Sequence, residues 1–156
     1  MNYSFIMLKP DALDRHLCVP ILERLKAANV EIEMADCRKV DTKLLFAHYE
    51  EVIGKLGRDF ERKCADYFTN RWVMPIVVKG ESETLIADIR KVVGATNPAQ
   101  ADKGTIRGDF GIDSYDKCNA EDRACENLIH ASDCPEAVRR EIGLWFGQAY
   151  ADKYAK

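Results

Sequence analysis

Four segments of the chain carry hydrophobic patterns that are typical of β-strands. Asn2–Leu8 is apolar at successive positions, which predicts a central strand with both faces buried. In 30–34, Val, Ile and Met alternate with two glutamates. This period of two predicts a strand with one face exposed to solvent. Trp72–Lys79 is predicted as a third strand, and Leu128 and Ile129 as the end of a buried fourth.

The segments between the strands repeat their apolar residues at helical spacing. The predicted helices are one opened by Pro20, one capped by Asp41 or Thr42 and broken by Gly54 and Gly57, one over about Arg58–Thr69, one capped by Ser82 and stopped by Gly94, and one over about Pro135–Phe146. Asp133 and Glu136 have the spacing of a capping box for the last helix. This βαββαβ order predicts a ferredoxin-like α+β sandwich, a four-stranded antiparallel sheet covered by helices, within a single domain over 1–156.

The remaining segments are polar and rich in turn-forming residues. We expect Ala95–Phe110 to be a long functional loop, Gly111–Glu126 to be an acidic surface insertion, and Gly147–Lys156 to pack loosely or fray. His48 lies off the apolar stripe of its helix, which predicts a surface position.

Composition narrows the possible functions. The net charge of −3 provides no general basic field, so specific nucleic-acid binding is not expected, and phosphate affinity must come from local cations. The sequence contains neither a long apolar run nor a basic leader, so we expect a cytoplasmic protein that does not bind membranes. Six cysteines without a Cys-x-x-Cys pair favour reduced, passive thiols, and a metal site of Cys118, Cys125 and Cys134 near His130 is a weaker alternative.

His130 is the leading candidate for chemistry, because it follows a buried strand end and precedes a helix start. An imidazole is a good nucleophile near neutral pH when an acceptor fixes its second nitrogen, and Glu141 could be that acceptor. The alternative is a histidine with only a structural hydrogen bond. Some polar residues have no predicted role in packing, and their side chains are of the types that bind or transfer phosphate. They are Lys9, Tyr49, Arg90, Thr96, Arg107, Asn127 and His130.

Three motifs carry a resemblance that covers nearly the whole chain. The heptapeptide Asn-Leu-Ile-His-Ala-Ser-Asp at 127–133, Gly-Thr-Ile-Arg-Gly-Asp at 104–109 and Met-Leu-Lys-Pro-Asp-Ala at 7–12 together resemble nucleoside diphosphate kinase. The resemblance implies transfer of a γ-phosphoryl group from ATP or another nucleoside triphosphate to a nucleoside diphosphate. It implies a ping-pong route through phosphohistidine with broad base specificity, Mg²⁺ carried by the nucleotide phosphates rather than by protein ligands, and a homo-oligomer, either a dimer-based tetramer or a hexamer.

The same resemblance implies a role for each matching residue. His130 would be phosphorylated, Glu141 and Ser132 would orient it, and Tyr49 is the tyrosine of the site. The nucleotide would be bound by Arg90, Thr96 and Arg107 at its phosphates, by Lys9 and Asn127 at its ribose, with Lys9 also near the phosphates, and by Phe60 stacked on its base. On helical spacing alone, core packing is the commoner explanation of Phe60.

Departures from the family pattern border the expected nucleoside pocket. Gly111–Glu126 is longer than in compact family members, extra residues appear around Gly54–Gly57 and Asn70–Trp72, and Cys64 stands where a larger aliphatic residue usually backs the base. The competing hypotheses are a catalytically silent nucleotide-binding regulatory module of the same fold, which the intact His130, Arg107 and Lys9 disfavour, and an RNA-binding sheet, which the acidic charge disfavours.

Overall fold

The strand β1 (Asn2–Leu8) lies in the interior of the sheet, because its side chains are apolar on both faces. Ile6 and Leu8 point into one hydrophobic core, and Phe5 and Met7 point into a second core on the opposite face. All four side chains are fully buried. The predicted central position of this strand is confirmed.

A computed structural model describes residues 1–156. In chain order the further elements are α1 (Pro10–Asp14), α2 (Cys18–Ala27), β2 (Glu31–Ala35), β3 (Arg38–Lys39), α3 (Thr42–His48), α4 (Glu50–Phe68), β4 (Trp72–Gly80), α5 (Leu85–Val93), a 3₁₀ turn (Pro98–Gln100), α6 (Ile106–Phe110), α7 (Tyr115–Ala120), β5 (Ile129–Ala131), α8 (Pro135–Phe146) and α9 (Gln148–Tyr154). None of the helices combines the length and the apolar composition needed to cross a membrane.

The strand order is β2-β4-β1-β5 with every pair antiparallel, and the two-residue β3 also pairs with β4. The ferredoxin-like prediction is therefore confirmed, with a short fifth strand added. Residues of α2 and α5 fill the core on one face of the sheet, and residues of α4 and α8 fill the core on the other. Met7 of β1 pairs with His130 of β5, which places the histidine on the edge strand beside β1.

The strand β2 departs from the predicted alternation. The register against β4 shifts between Ile32 and Met34, so Val30 packs in the first core while Met34 packs against the second. Ile32 is 46% exposed on this edge strand. Beyond a β-bulge the side chains point to the opposite faces of the sheet, and hydrophobic alternation with a period of two does not show where a bulge lies.

Several predicted helix boundaries were wrong by a few residues. Gly57 interrupts α4 with φ of 80°, but Gly54 is helical. The helix predicted to begin at Pro20 begins at Cys18, and Thr84 rather than Ser82 directly precedes α5. Cys134, not Asp133, occupies the N-cap of α8, and it makes no side-chain capping bond, so the capping box does not form.

Two predicted surface features are buried instead. His48 is only 3% exposed, because its ring packs beneath the sheet against Trp145. The C-terminal segment forms α9, where Ala151 is fully buried and the Tyr154 hydroxyl donates to Glu33 Oε1 at 3.1 Å. Both predictions relied on local polarity, whereas tertiary contacts determine the outcome.

The segment predicted as a loop and the segment predicted as a surface insertion each contain a helix. The 95–110 loop includes the 3₁₀ turn and α6, and the insertion includes α7. Asp113 anchors the insertion from a buried position, accepting from Arg123 at 2.6 Å and from the N–H of Glu126 at 2.8 Å. Burial would raise the pKa of Asp113, but these hydrogen bonds outweigh it and hold the pKa at about 2.

Gly108 gives a direct test of the packing around α6. A Cβ on Gly108 would lie 1.9 Å from the backbone oxygen of Asp102, whereas a Cβ on the helical Gly54 would meet nothing within 4 Å. We expect Gly108→Ala to lower the free energy of unfolding by about 2 kcal/mol or more. Gly54→Ala, the matched control, should raise it by roughly 0.5–1 kcal/mol. Urea denaturation measures both, and equal stability of the two variants would contradict this packing.

Candidate active site

His130 follows a turn in which Leu128 has a left-handed backbone conformation. Leu128 has φ of 72°, a conformation that costs a non-glycine residue on the order of 1 kcal/mol or more. The buried Asp11 accepts the Leu128 N–H at 3.1 Å, and the Leu128 carbonyl accepts the Lys9 N–H at 2.8 Å. Tyr67 donates its hydroxyl to the other oxygen of Asp11. This local network stabilises the turn and so fixes where β5 begins.

The His130 ring is held through one of its two nitrogens. Nε2 lies 2.5 Å from Oε1 of Glu141, and Ser132 donates its hydroxyl to Oε2 of the same carboxylate at 3.1 Å. Glu141 and Ser132 are each only 1% exposed. A carboxylate acceptor selects the tautomer with hydrogen on Nε2, which leaves the Nδ1 lone pair free. Nδ1 bonds to no protein atom and is not buried.

The surroundings of His130 favour the neutral ring. Burial lowers the pKa of the imidazole, and the positive charges of Lys9, Arg107 and Arg90 lower it further. An imidazole in water titrates near 6.5. The ring is therefore unprotonated at neutral pH, the state in which Nδ1 can act as a nucleophile.

His48 supports the His130 ring from behind. The two imidazoles meet edge to face with centroids 4.5 Å apart. His48 Nδ1 accepts from Nε1 of Trp145 at 3.0 Å, so the hydrogen of the neutral ring is on Nε2, which has no partner. Burial lowers the pKa of His48 well below its usual value, which keeps it neutral beside His130. Sequence reasoning missed the roles of both His48 and Asp11: His48 resembles a surface residue by pattern, and Asp11 entered only as part of the 7–12 motif, without a role of its own.

Arg107 joins three segments at the site. Its guanidinium donates to the backbone oxygens of Asn127 at 3.1 Å, Ile129 at 2.5 Å and Gly94 at 3.2 Å. Burial, and then the charge of Arg90, lower the pKa of Arg107 to about 10, so it remains cationic at neutral pH. A guanidinium has five N–H groups, so two remain for an anion.

Lys9 and Asn127 form a second polar pair beside Arg107. Lys9 Nζ donates to Asn127 Oδ1 at 2.8 Å, and Asn127 Nδ2 donates to the backbone oxygen of Thr96 at 3.0 Å. Burial, with Arg107 nearby, lowers the pKa of Lys9 to about 8. Lys9 is therefore mostly cationic at pH 7.

One cavity of about 850 Å³ collects these groups. The candidate residues that line it are Lys9, Tyr49, Phe60, Arg90, Thr96, Arg107, Asn127, His130 and Glu141. Ser132 does not line the cavity and reaches it only through Glu141. Lys9, Arg90 and Arg107 lie near the imidazole, and the same cavity is lined by Phe60 and other apolar side chains together with polar ones such as Lys63, so it suits a phosphate joined to an aromatic group.

Comparison with known proteins agrees with this arrangement. The profile of the nucleoside diphosphate kinase family matches residues 2–150. The chain belongs to the nucleoside diphosphate kinase family. A nucleoside diphosphate kinase of Methanothermobacter thermautotrophicus is 40% identical over 154 residues, which cover 99% of this chain and 93% of that protein.

Solved structures of nucleoside diphosphate kinases also match. One from Borrelia burgdorferi, described as a transition state mimic with bound vanadate and ADP, has a TM-score of 0.86 and 30% identity, and the match covers 93% of this chain and 86% of that one. One from Pyrobaculum aerophilum has a TM-score of 0.82 and 31% identity, with 93% of this chain and 95% of that one covered.

The alternative metal site of Cys118, Cys125 and Cys134 is not among the clusters that the structure forms. The group of three metal-type side chains that does converge is His48, His130 and Glu141, without a thiol. All six cysteines are free. Burial raises the pKa of Cys64 and of Cys125 to about 12, so these two thiols remain protonated and weakly nucleophilic.

Tyr49 and Tyr67 offer a matched test of the site. The Tyr49 hydroxyl is buried without a hydrogen-bond partner, whereas the Tyr67 hydroxyl donates to Asp11. We expect Tyr49→Phe to leave the free energy of unfolding unchanged or to raise it by about 1 kcal/mol, because an unpaired polar group is removed. Tyr67→Phe should lower it by about 1 kcal/mol or more. Thermal and urea unfolding without nucleotide measure both, and a destabilised Tyr49→Phe would mean that the hydroxyl is bonded.

Proposed function

We propose that this protein transfers the γ-phosphoryl group of a nucleoside triphosphate to a nucleoside diphosphate, by a ping-pong route through phosphorylated His130. The observation that carries the proposal is the free Nδ1 of an imidazole fixed at Nε2 by Glu141, at the cationic end of the cavity. Membership of the nucleoside diphosphate kinase family agrees with this activity.

In the first half-reaction the Nδ1 lone pair attacks the γ-phosphorus. The bond between that phosphorus and the β–γ bridging oxygen breaks, and the nucleoside diphosphate leaves with the electron pair. The hydrogen stays on Nε2, where Glu141 stabilises the positive charge that develops on the ring. In the second half-reaction a β-phosphate oxygen of another diphosphate takes the phosphoryl group, and the ring returns to its starting state.

The cations supply most of the stabilisation for the transferring group. Its negative charge is spread over three equatorial oxygens, and positioned donors stabilise that charge best in a cavity that excludes water. The two unused N–H groups of Arg107, the exposed Arg90 and the Thr96 hydroxyl are the donors that we assign to the phosphates. Lys9 would reach both a phosphate and the ribose, and Asn127 the ribose.

The phosphate end of the cavity fits Mg²⁺ that arrives with the nucleotide. Glu141 already bonds to His130 and Ser132, so it is not a free metal ligand, while Lys9, Arg90 and Arg107 are cations. Mg²⁺ coordinates phosphate oxygens and neutralises part of their charge when bound. The family resemblance implies that Mg²⁺ is carried by the nucleotide phosphates, so we assign no protein ligand to it.

Phe60 is the residue that we propose to stack on the base. It lines the cavity and is partly buried, with its ring edge to face against Tyr49 at 6.2 Å between centroids. Stacking uses the π-face that every base has, which is consistent with broad base specificity.

We further propose a single catalytic domain, a cytoplasmic location and a homo-oligomer built from dimers, as the family resemblance implies. The competing hypothesis of a silent module is disfavoured, because the phosphate-binding side chains and the nucleophile share one open cavity.

Incubation with γ-labelled ATP and Mg²⁺, followed by unlabelled GDP, tests the proposal. We expect an acid-labile label on the protein that moves to GTP, and loss of both labelling and transfer in His130→Ala, by about 10⁴-fold or more in rate. His16→Ala is the control, because His16 is exposed and does not line the cavity. Phosphoryl transfer that survives in His130→Ala would exclude this mechanism.

A further inference from the structure

Three aromatic rings surround the His130 imidazole, and His48 is the nearest of them. The centroid of the His48 ring lies 4.5 Å from that of His130, whereas the centroids of Phe5 and Tyr49 lie 6.1 and 6.3 Å from it. The planes of the two imidazoles are inclined at 78°, so one ring presents its edge to the face of the other. Edge-to-face contact at this separation is a favourable arrangement of two aromatic rings. Among these rings, His48 is therefore the best placed to fix the plane of His130.

The hydrogen bond from Glu141 does not fix that plane by itself. Both carboxylate oxygens contact the same ring atom of His130, Nε2, at 2.5 and 3.1 Å. A contact at one atom selects the tautomer but still permits the ring to tilt, because the torsion that turns a histidine ring has broad minima. The direction of the Nδ1 lone pair therefore needs a second restraint, which packing against the ring supplies.

His48 can restrain His130 because His48 is itself held at its ring and at its backbone. Trp145 Nε1 donates to Nδ1 of His48 at 3.0 Å, and both side chains are only 3% exposed. Arg140 Nη1 donates to the backbone oxygen of His48 at 3.2 Å, at the end of α3. The His48 ring cannot turn without breaking a buried hydrogen bond.

One helix holds both histidines. Glu141 and Trp145 are four residues apart on α8, so their side chains lie on one face of that helix. Glu141 bonds to His130, Trp145 bonds to His48, and the two imidazoles contact each other. These contacts form a closed loop that begins and ends on α8, so the orientation of the nucleophile is fixed relative to a single rigid element.

The bond from Trp145 also limits the other roles that His48 could have. Ligand-type atoms of His48, His130 and Glu141 lie within 4.8 Å of one another, a spacing that a metal ion could bridge. However, Trp145 occupies the Nδ1 lone pair of His48, and the hydrogen of the neutral ring is on Nε2, so no lone pair is left for a metal. For the same reason His48 cannot take a proton at Nδ1, and so compete as a cation for Glu141, without losing the Trp145 bond. A positioning role remains.

We propose that Trp145 and His48 are positioning residues for phosphoryl transfer. Trp145 holds the His48 ring, and that ring holds the plane of His130 so that the Nδ1 lone pair points at the γ-phosphorus. This inference rests on the proposed function. In-line transfer needs an aligned attacking atom, and a displacement of about 1 Å can lower a rate by about 10²-fold. We assign neither residue a contact with the nucleotide, so both should affect the rate of transfer more than nucleotide binding.

Single-turnover phosphorylation of the full chain by γ-labelled ATP and Mg²⁺ tests the proposal. His48→Asn keeps an oxygen acceptor for Trp145 but removes the ring. We expect it to lower the maximal rate by about 10- to 100-fold, and to change the ATP concentration that gives half of that rate by less than about threefold. Trp145→Phe should lower the rate by about three- to tenfold, because the His48 ring is still present but is no longer held. Since Trp145 acts through His48, the double variant should be no slower than His48→Asn alone.

A stability control and a spectroscopic readout separate position from general damage. Leu45→Ala is the control, because Leu45 is fully buried in the same core and also lies on α3. It should lower the free energy of unfolding but keep the transfer rate. The chain contains only three histidines, so ¹⁵N-histidine spectra report on His130 directly. In His48→Asn, His130 should keep its hydrogen on Nε2, because Glu141 is unchanged, even though transfer is slow.

Four results would overturn the proposal while labelling of the unaltered protein continues. They are a rate in His48→Asn within about threefold of the unaltered rate, additive losses in the double variant, an equal loss in Leu45→Ala, and a changed tautomer of His130 in His48→Asn. If His48→Asn does not fold, an unaltered rate in Trp145→Phe overturns the proposal instead. Absence of label on the unaltered protein would remove the proposed function itself.

Discussion

The hydrogen bond between Glu141 and Nε2 of His130 is the interaction on which the rest of the site depends. It decides which ring nitrogen faces the cavity, because a carboxylate acceptor selects the tautomer with hydrogen on Nε2. Glu141 is held in turn by Ser132, and both are buried, so the ring cannot exchange this partner for water. The surrounding cations then have two effects. After burial, which contributes most, they lower the pKa of the imidazole and so keep it neutral before reaction, and they can stabilise a phosphoryl group once it arrives.

The backbone that carries His130 is fixed by charged side chains from distant parts of the chain. Arg107 binds the carbonyls on either side of Leu128, and Asp11 binds the Leu128 N–H. A left-handed leucine persists only where such contacts stabilise it. Arg107 is therefore both a structural clamp and, through its remaining N–H groups, a candidate phosphate ligand. Substitution of Arg107 would therefore disturb position and charge together, and Arg90, which donates to the backbone oxygen of Ala131 at 3.0 Å, contacts the same strand.

The sequence alone was sufficient to predict structure where a hydrophobic pattern reflects burial directly, and to predict the family where a motif is long. The apolar β1 predicted a central strand, and the three motifs predicted a family and the residues that its cavity collects. It was insufficient where tertiary contacts override local polarity. His48 is buried because Trp145 satisfies its Nδ1, and α9 is ordered because Ala151 packs in the second core and Tyr154 bonds to Glu33 of β2. The bulge in β2 and the ion pairs of the insertion with α4 arise from pairing between segments, which no single segment encodes.

The central claim is that Glu141 leaves Nδ1, and not Nε2, as the nucleophile. The position of the phosphoryl group on the ring of the phosphorylated protein tests this most directly. Nitrogen–phosphorus couplings in ¹⁵N-histidine-labelled protein distinguish the two isomers. The structure predicts phosphate on Nδ1 of His130, with hydrogen retained on Nε2. Phosphate on Nε2 would contradict it, because that atom is already committed to Glu141.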